Sequence, residues 1–343
     1  MENNWSIDVT GSHAVCLGSK VVCDGFLRDA PIRVQTHVHE DHMDGFDSSK
    51  GFQTILSSKA TRALLIAEYN ADLSVRENFL DADFGIPIEL DGVSIRLVSA
   101  EHMLGAAQVE VTYPNGLRLG YSGDFGETLE EVIEVDELVI DATYGGFSSY
   151  RKFRQEDAEN AFSALLMREF IRGPVNLRAY RGTLERALSI IYGTLHSPTI
   201  IGSRRVLKEV LVFRDFGYPI GDILEDGTVD AKMAIRSGSY IRITSKGDRE
   251  PIDPKGTTIV LSAFASCKQE QPIIERSDRS FAVAMSDHGD LGSTIEFVRR
   301  SGAKRVITDN SRGRGIELAE TLRQILNVDA RPSSNRQSLL WGE

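Results

Sequence analysis

The sequence predicts an α/β protein in two parts, and three observations predict it. Residues 1–150 are dense in short apolar strands divided by glycine-containing turns. From residue 151 the rhythm changes to longer helices alternating with short apolar strands, the order that builds a parallel sheet. Motifs rich in histidine and aspartate follow strand ends rather than interrupt strands. The 343 residues can bury a large core and suit two domains, or one domain with an insertion.

In chain order, Ile7–Thr10, Ala14–Leu17, Lys20–Cys23 and Ile32–Gln35 read as strands, because apolar residues cluster between turns. Thr54–Leu56 is strand-like, and Ser58–Asn70 is helical, capped by Ser57 or Ser58, with Ala63, Leu64 and Ala67 on one face. Ile88–Leu90 and Val93–Val98 flank Asp91-Gly92, a hairpin signal. Gln108–Tyr113 and Leu117–Ser122 flank Pro114-Asn115-Gly116 in the same way. Glu137–Ile140 is a short apolar strand ending at Asp141. Gln155–Arg172 is an amphipathic helix with the stripe Phe162, Leu165, Leu166 and Phe170. Strands then follow at Val175–Leu177, Thr199–Ile201, Ile241–Ile243, Thr258–Ser262, Phe281–Met285 and Arg305–Thr308. The helices between and after them are Thr183–Tyr192, Arg204–Phe216, Leu291–Ser301, which Gly302 stops, and Ile316–Leu326. The tail after Pro332 is expected to be loosely held.

Composition narrows the class. Hydrophobic residues at 41% and charged residues at 26% are ordinary for a soluble globular protein. No apolar run reaches the roughly 20 residues that span a bilayer, so no membrane partner is expected. Met1-Glu2-Asn3-Asn4-Trp5 has neither the basic nor the apolar region of a secretory signal. Cys16, Cys23 and Cys267 are odd in number and lack C-x-x-C spacing, which fits a reducing, cytoplasmic setting. The net charge of −11 is unevenly spread. Residues 1–150 hold 9 Lys and Arg against 25 Asp and Glu, whereas residues 151–214 hold 12 against 6. A carboxylate-rich region beside a basic one could grip a polyanion on one side and cut it on the other. Taken singly, Arg151, Lys152, Arg154, Arg204 and Arg205 read as solvated helix ends.

Three of the seven histidines fall within six residues, in Thr36-His37-Val38-His39-Glu40-Asp41-His42. Imidazole nitrogen and carboxylate oxygen suit Zn²⁺ and similar borderline metals. If Val34–Thr36 ends a strand, His37 and His39 lean to one side of the chain and Val38 to the other. Asp41 and His42 would sit on the following turn, within reach of a second ion. A solvated histidine-rich loop would need neither Asp41 at that spacing nor a strand feeding it.

Two later segments match in kind. His102, in Glu101-His102-Met103-Leu104-Gly105-Ala106, follows a strand, and Asp124, in Ser122-Gly123-Asp124-Phe125, ends one. Alone, His102 could be a core histidine and Asp124 a turn aspartate. Together with the first run they point to one cluster, with Asp124 as the carboxylate able to bridge two ions. His13 and His196 fit no motif.

On these residues the chain resembles the metallo-β-lactamase fold superfamily. Asp24, in Val22-Cys23-Asp24-Gly25, is similar to its early supporting aspartate, and His37, His39, Asp41 and His42 match its signature run. His102 and Asp124 match the next two ligand positions. Leu138-Val139-Ile140-Asp141-Ala142-Thr143-Tyr144-Gly145 is similar to the acidic motif that opens the β-CASP cassette of nucleic-acid nucleases, and Ser286-Asp287-His288-Gly289-Asp290 to a later one. The resemblance implies an αββα sandwich with an inserted β-CASP parallel-sheet domain. Its first part would span 1–150, the insert 151–275 and the return to the sandwich 276–343. It implies two Zn²⁺ ions, with Mn²⁺ open: His37, His39 and His102 on the first, Asp41 and His42 on the second, and Asp124 between.

The RNA-cutting members of the β-CASP group carry a third cassette histidine. Here that strand reads Arg305-Val306-Ile307-Thr308-Asp309-Asn310-Ser311, so Asp309 or Asn310 stands where histidine is expected. Asp309 is the candidate replacement ligand, and a weaker second site is one consequence. Artemis-type DNA-cutting relatives also lack this histidine.

The chemistry expected is phosphodiester hydrolysis by a metal-dependent enzyme, endo- or exonuclease, in a cleft between the domains. Asp41 would act at the second ion. His288 would supply the leaving oxygen with a proton, and Asp141 would fix its tautomer. RNA is favoured over DNA as the nucleic-acid partner. The alternatives are a repair-type or ligase-associated DNA exonuclease, or a non-catalytic nucleic-acid-binding subunit. A homodimer is left open.

Overall fold

The computed structural model describes residues 5–69, 71–244, 255–263 and 270–333. Cys267, Asn70 at the expected end of a helix, and the tail from residue 334 lie outside the described residues. The chain divides into two compact units, Met1–Tyr150 with His288–Glu343, and Arg151–Asp287.

The first unit opens with β1 (Ile7–Val9), β2 (Val15–Leu17), β3 (Val21–Cys23), β4 (Ile32–Gln35), α1 (Phe46–Phe52), β5 (Thr54–Ser58), α2 (Lys59–Tyr69) and β6 (Phe79–Ala82). It continues with β7 (Ile88–Leu90), β8 (Val93–Ser99), β9 (Ala107–Thr112), β10 (Arg118–Tyr121) and β11 (Glu137–Ile140). Both hairpins read from sequence form as antiparallel pairs, Leu90 opposite Val93 and Thr112 opposite Arg118.

The second unit holds α3 (Gln155–Arg172), β12 (Val175–Arg178), α4 (Thr183–Thr194), β13 (Ile200–Gly202), α5 (Arg204–Asp215), β14 (Ile223–Glu225) and α6 (Val229–Ser237). It ends with β15 (Ile241–Thr244), β16 (Thr257–Leu261), β17 (Ile273–Ser277) and β18 (Ser280–Val283). Its sheet runs β14-β13-β15-β12-β16-β18-β17, parallel throughout except for the β17–β18 pair. The stripe expected on α3 is inward, with Phe162, Leu165 and Leu166 buried. The chain then returns to the first unit through α7 (Leu291–Ser301), β19 (Arg305–Thr308), α8 (Gly315–Leu326) and β20 (Asp329–Pro332).

Two sheets build the first unit, ordered β1-β2-β3-β4-β5-β6 and β20-β19-β11-β10-β9-β8-β7. One apolar core joins them. Val15, Leu17, Val21, Val34 and Leu56 from one sheet pack with Val93, Ile95, Leu97, Val109, Val111, Leu119, Val139 and Ile307 from the other. Burying each such side chain stabilises the fold by about 1.5–3 kcal/mol before entropy is counted. β4 and β11 are buried along their whole length, so their polar successors emerge at the edge of this core.

Several elements have no sequence expectation. α6 packs Ala231, Ala234 and Ile235 inward, but Val229 and Met233 are exposed, so the stripe is blurred in the sequence. α1 has the unpromising sequence Phe-Asp-Ser-Ser-Lys-Gly-Phe. β17 sits at the edge of its sheet with Glu275 and Arg276 exposed, which suits an edge strand but hides its periodicity.

Candidate metal centre

The histidine run is held from below by a polar network that begins inside β4. Arg33 is fully buried. Its Nε and Nη2 donate to Gln35 Oε1 at 3.0 and 2.7 Å, and Nη1 donates to Asp44 O at 2.8 Å and Ser49 Oγ at 3.2 Å. Nη2 also donates to His42 O at 3.0 Å, so all five guanidinium donors are used. Burial pushes Arg33 down to about 10 against the pull of Asp24, which leaves it charged at neutral pH. Gln35 Nε2 donates to the carbonyls of His37 and His42 at 2.7 and 3.1 Å. The backbone of the run is therefore fixed at both ends.

Asp24 fixes its side chains. This residue lies in the left-handed region at φ 53° and is fully buried. Its Oδ1 accepts from Thr36 N at 2.8 Å. Its Oδ2 accepts from Thr36 Oγ1 at 2.5 Å and from His42 Nδ1 at 2.7 Å. The Thr36 hydroxyl has one proton and gives it to Asp24, so it accepts from His37 Nδ1 at 2.9 Å. Both imidazoles then carry their proton on Nδ1 and turn the Nε2 lone pair inward, the orientation a supporting carboxylate imposes on metal-binding histidines.

Six sequence-predicted residues converge there. His37, His39, His102 and Asp124 place ligand atoms within 4.8 Å of one another, all buried. His102 Nε2 lies 3.0 Å from His39 Nδ1 and 3.7 Å from Asp124 Oδ2, and His37 Nε2 lies 3.6 Å from the same oxygen. The other oxygen, Asp124 Oδ1, faces His42 Nε2 at 3.3 Å, and Asp41 Oδ2 stands 3.7 Å from that nitrogen. One carboxylate thus faces two groups of donors. His37 Nε2 and His42 Nε2 are buried without a hydrogen-bond partner among the described residues. A buried polar atom left so is costly. The donor set of imidazoles and a carboxylate fits a borderline metal, and these buried groups could hold metal ions.

Electrostatics agree. Burial, reinforced by His42, His39 and His102, holds His37 well below the usual histidine range, so it is neutral and ready to ligate. Burial also opposes a charge on His42, but Asp124, Asp41 and Asp24 outweigh it and raise its affinity for a proton. Burial would raise Asp124, yet His42, His288 and His37 keep it well below the usual carboxylate range.

Glycines let the two later motifs reach the cluster. Gly123 has φ 56°, and a Cβ there would come within 2.6 Å of Ala107 O. Gly105 has φ 83°, and a Cβ there would lie 2.5 Å from Thr61 N. The Gly105 carbonyl accepts from Ser58 Oγ at 2.7 Å and Thr61 Oγ1 at 2.8 Å, which ties the His102 loop to the start of α2.

His288 and Asp141 form a second pair beside Asp124. His288 Nε2 is 3.8 Å from Asp124 Oδ2, and its Nδ1 is 3.5 Å from Asp141 Oδ2. Asp141 Oδ1 accepts from Thr143 N and Thr143 Oγ1 at 2.8 and 2.7 Å. Asp141 thus caps its own turn with one oxygen and faces His288 with the other.

Asp309 belongs to none of the converging groups among the described residues. Its Oδ1 accepts from Ser311 N at 2.8 Å and from the Ser311 hydroxyl, and Oδ2 pairs with Arg312 Nη1 at 3.1 Å. Asp41 is placed beside His42, but its side chain is 65% exposed. His13 lies at the same edge, with Nδ1 2.8 Å from Asp44 Oδ2, whereas His196 is exposed in the second unit.

Of the support network, only Asp24 is named from sequence as a support; Arg33, Gln35 and Thr36 are not. Arg33 carried a readable signal, a charge inside the apolar run Ile32–Gln35. Arg312 carried none, since nothing in Ser311-Arg312-Gly313-Arg314 separates it from the exposed Arg314, which pairs with Glu317. The basic stretch is also less open than its charge count suggests. Arg181 is buried against Glu209 at 3.0 Å, Arg186 pairs with Glu159 at 2.8 Å and Lys152 with Glu270 at 2.8 Å.

No family model matches the chain. An uncharacterized protein in a lig 3′ region of Acidianus ambivalens is 38% identical over 130 residues, 37% of this chain and 91% of that protein. The two belong to one family. A more distant similarity, 23% identity over 227 residues, links the chain to RNase aCSPSF2 of Saccharolobus solfataricus. That match takes in 57% of this chain and 41% of the ribonuclease. The fold is shared with a protein of unknown function from Enterococcus faecalis V583, at a TM-score of 0.56 and 13% identity over 82% of this chain and 76% of that one. Among the described residues no helix is long and apolar enough to cross a membrane.

Proposed function

We propose that this protein is a metal-dependent nuclease of the β-CASP type that hydrolyses phosphodiester bonds, with RNA as its main substrate. The observation that carries the reading is Asp124, whose Oδ2 faces buried His37 and His102 while its Oδ1 faces buried His42. The first unit is taken as the metallo-β-lactamase-type sandwich and the second as the β-CASP insert. Similarity to RNase aCSPSF2 supports nuclease chemistry and favours RNA.

In this reading His37, His39, His102 and Asp124 hold one ion, and His42, Asp41 and Asp124 face the second. Zinc bound there would supply Lewis acidity and a nucleophile active at neutral pH. In the same reading His288 protonates the leaving oxygen. Asp141, 3.5 Å from its Nδ1, orients the ring. Asp24 and Thr36 set the tautomers of His42 and His37 through their Nδ1 atoms.

A DNA-directed exonuclease is the second reading, favoured by similarity to the Acidianus ambivalens protein of a lig 3′ region. End-labelled single-stranded RNA and DNA, each with 5′-phosphate or 5′-hydroxyl, incubated with zinc- or manganese-loaded protein, separate the two. Faster RNA cleavage that disappears in His39→Ala supports the first reading, and preference for DNA supports the second. No cleavage of either polymer by metal-loaded protein overturns both.

A further inference from the structure

The end of β19 places a cation beside the His42 group of donors. Arg312 has a side chain only 7% exposed. Its Nε and Nη2 donate to the Asp41 carbonyl at 3.1 and 3.0 Å, and Nη2 also reaches the His13 carbonyl at 3.2 Å. Asp309 holds Nη1 from the other side at 3.1 Å. The guanidinium is thus fixed on the peptide that joins Asp41 to His42. Its positive charge therefore sits one peptide away from the His42 and Asp41 side chains.

The two groups around Asp124 differ in three further ways. His37, His39, His102 and Asp124 are all buried and offer four donors. Asp41 is 65% exposed, so the His42 side rests partly on a solvated ligand. Asp309 joins no converging group of ligand atoms among the described residues, and its oxygens face Ser311 and Arg312. A fixed unit charge acts on a dication with twice the energy that it exerts on a proton at the same distance.

We propose that Arg312 makes the centre unequal. The chain holds one metal ion tightly at His37, His39, His102 and Asp124, and admits a second at His42, Asp41 and Asp124 only weakly, because Arg312 already supplies positive charge on that side. This inference rests on the metal-centre reading above, but not on the nature of the substrate.

Calorimetric titration of the metal-free full chain with Zn²⁺, with elemental analysis after gel filtration, tests it. The wild type is expected to retain one ion per chain and to bind a second at least about a hundredfold more weakly. Arg312→Gln is expected to tighten the second binding event by about tenfold and leave the first unchanged. Arg312→Lys keeps the charge and should keep the second event weak. Melting curves report whether each variant folds. If Arg312→Gln does not fold, the wild-type titration still decides. Two ions bound with equal affinity by the wild type, or an unchanged second event in folded Arg312→Gln, overturns the inference and leaves the metal centre standing. No ion bound by the wild type overturns both.

Discussion

The ends of β4 and β19 lead into loops of similar chemistry and opposite use. After β4, His37 and His42 turn their Nδ1 atoms to Thr36 and Asp24 and their Nε2 atoms inward toward Asp124. After β19, Asp309 folds back on Ser311 and Arg312, so its oxygens are consumed locally. Possession of a ligand-type side chain does not make a ligand. What counts is whether the neighbouring hydrogen bonds leave a lone pair facing the common point.

The largest test of this contrast removes the carboxylate that the first loop faces. Asp124→Ala is expected to retain no zinc and to lose activity by more than about a thousandfold, while circular dichroism stays unchanged. Retention of one ion per chain would break the comparison at its centre.

Next comes the support beneath the β4 loop. Arg33→Met strips hydrogen bonds from Gln35, Ser49 and the carbonyls of Asp44 and His42. A loss of about 3 kcal/mol in urea denaturation of the metal-free protein is expected. A loss below about 1 kcal/mol would mean that water or rearrangement satisfies those acceptors.

A paired experiment sharpens the contrast further. Asp24→Asn disturbs the groups behind His37 and His42, and zinc affinity should fall by about 10- to 100-fold. Asp309→Asn should alter the affinity of the first ion by less than about threefold, since its carboxylate serves Ser311 and Arg312. Equal losses in the two variants would return Asp309 to the ligand set.

The smallest effect is on stability against pH. Despite burial, the surrounding carboxylates raise His42 above its usual value. A base raised on folding stabilises the fold below its unfolded value, and that contribution is lost as pH climbs through the folded value. Metal-free protein should therefore lose stability as pH rises beyond about 6.5. Zinc-loaded protein should not, because an imidazole ligated through Nε2 keeps only its Nδ1 proton and takes up no second one. Melting temperatures across that range, with and without zinc, give the sign directly.

Much of the fold was legible because its elements follow simple periodicities. Glu137–Ile140, Gln155–Arg172, Leu291–Ser301 and Arg305–Thr308 lie where patterning puts them. α1, α6 and the edge strand β17 were not legible, because they bury too little for a pattern to show. Within the site, the convergence of His37, His39, His42, His102 and Asp124 was readable from motif order after strand ends. The inward tether of Asp309 was not, since it depends on where the Arg312 fork lands.

Sequence by itself determined the strand-rich first half, the helix–strand alternation that follows and the set of residues able to bind a cation, because these depend on residue type and local spacing. Tertiary structure alone decided which lone pairs face one another. Asp24 lies 18 residues from the histidine it orients, and Arg312 lies 271 from the carbonyl it clamps. Hydrogen-bond direction over such separations is set by how the two sheets pack, and no local pattern encodes it.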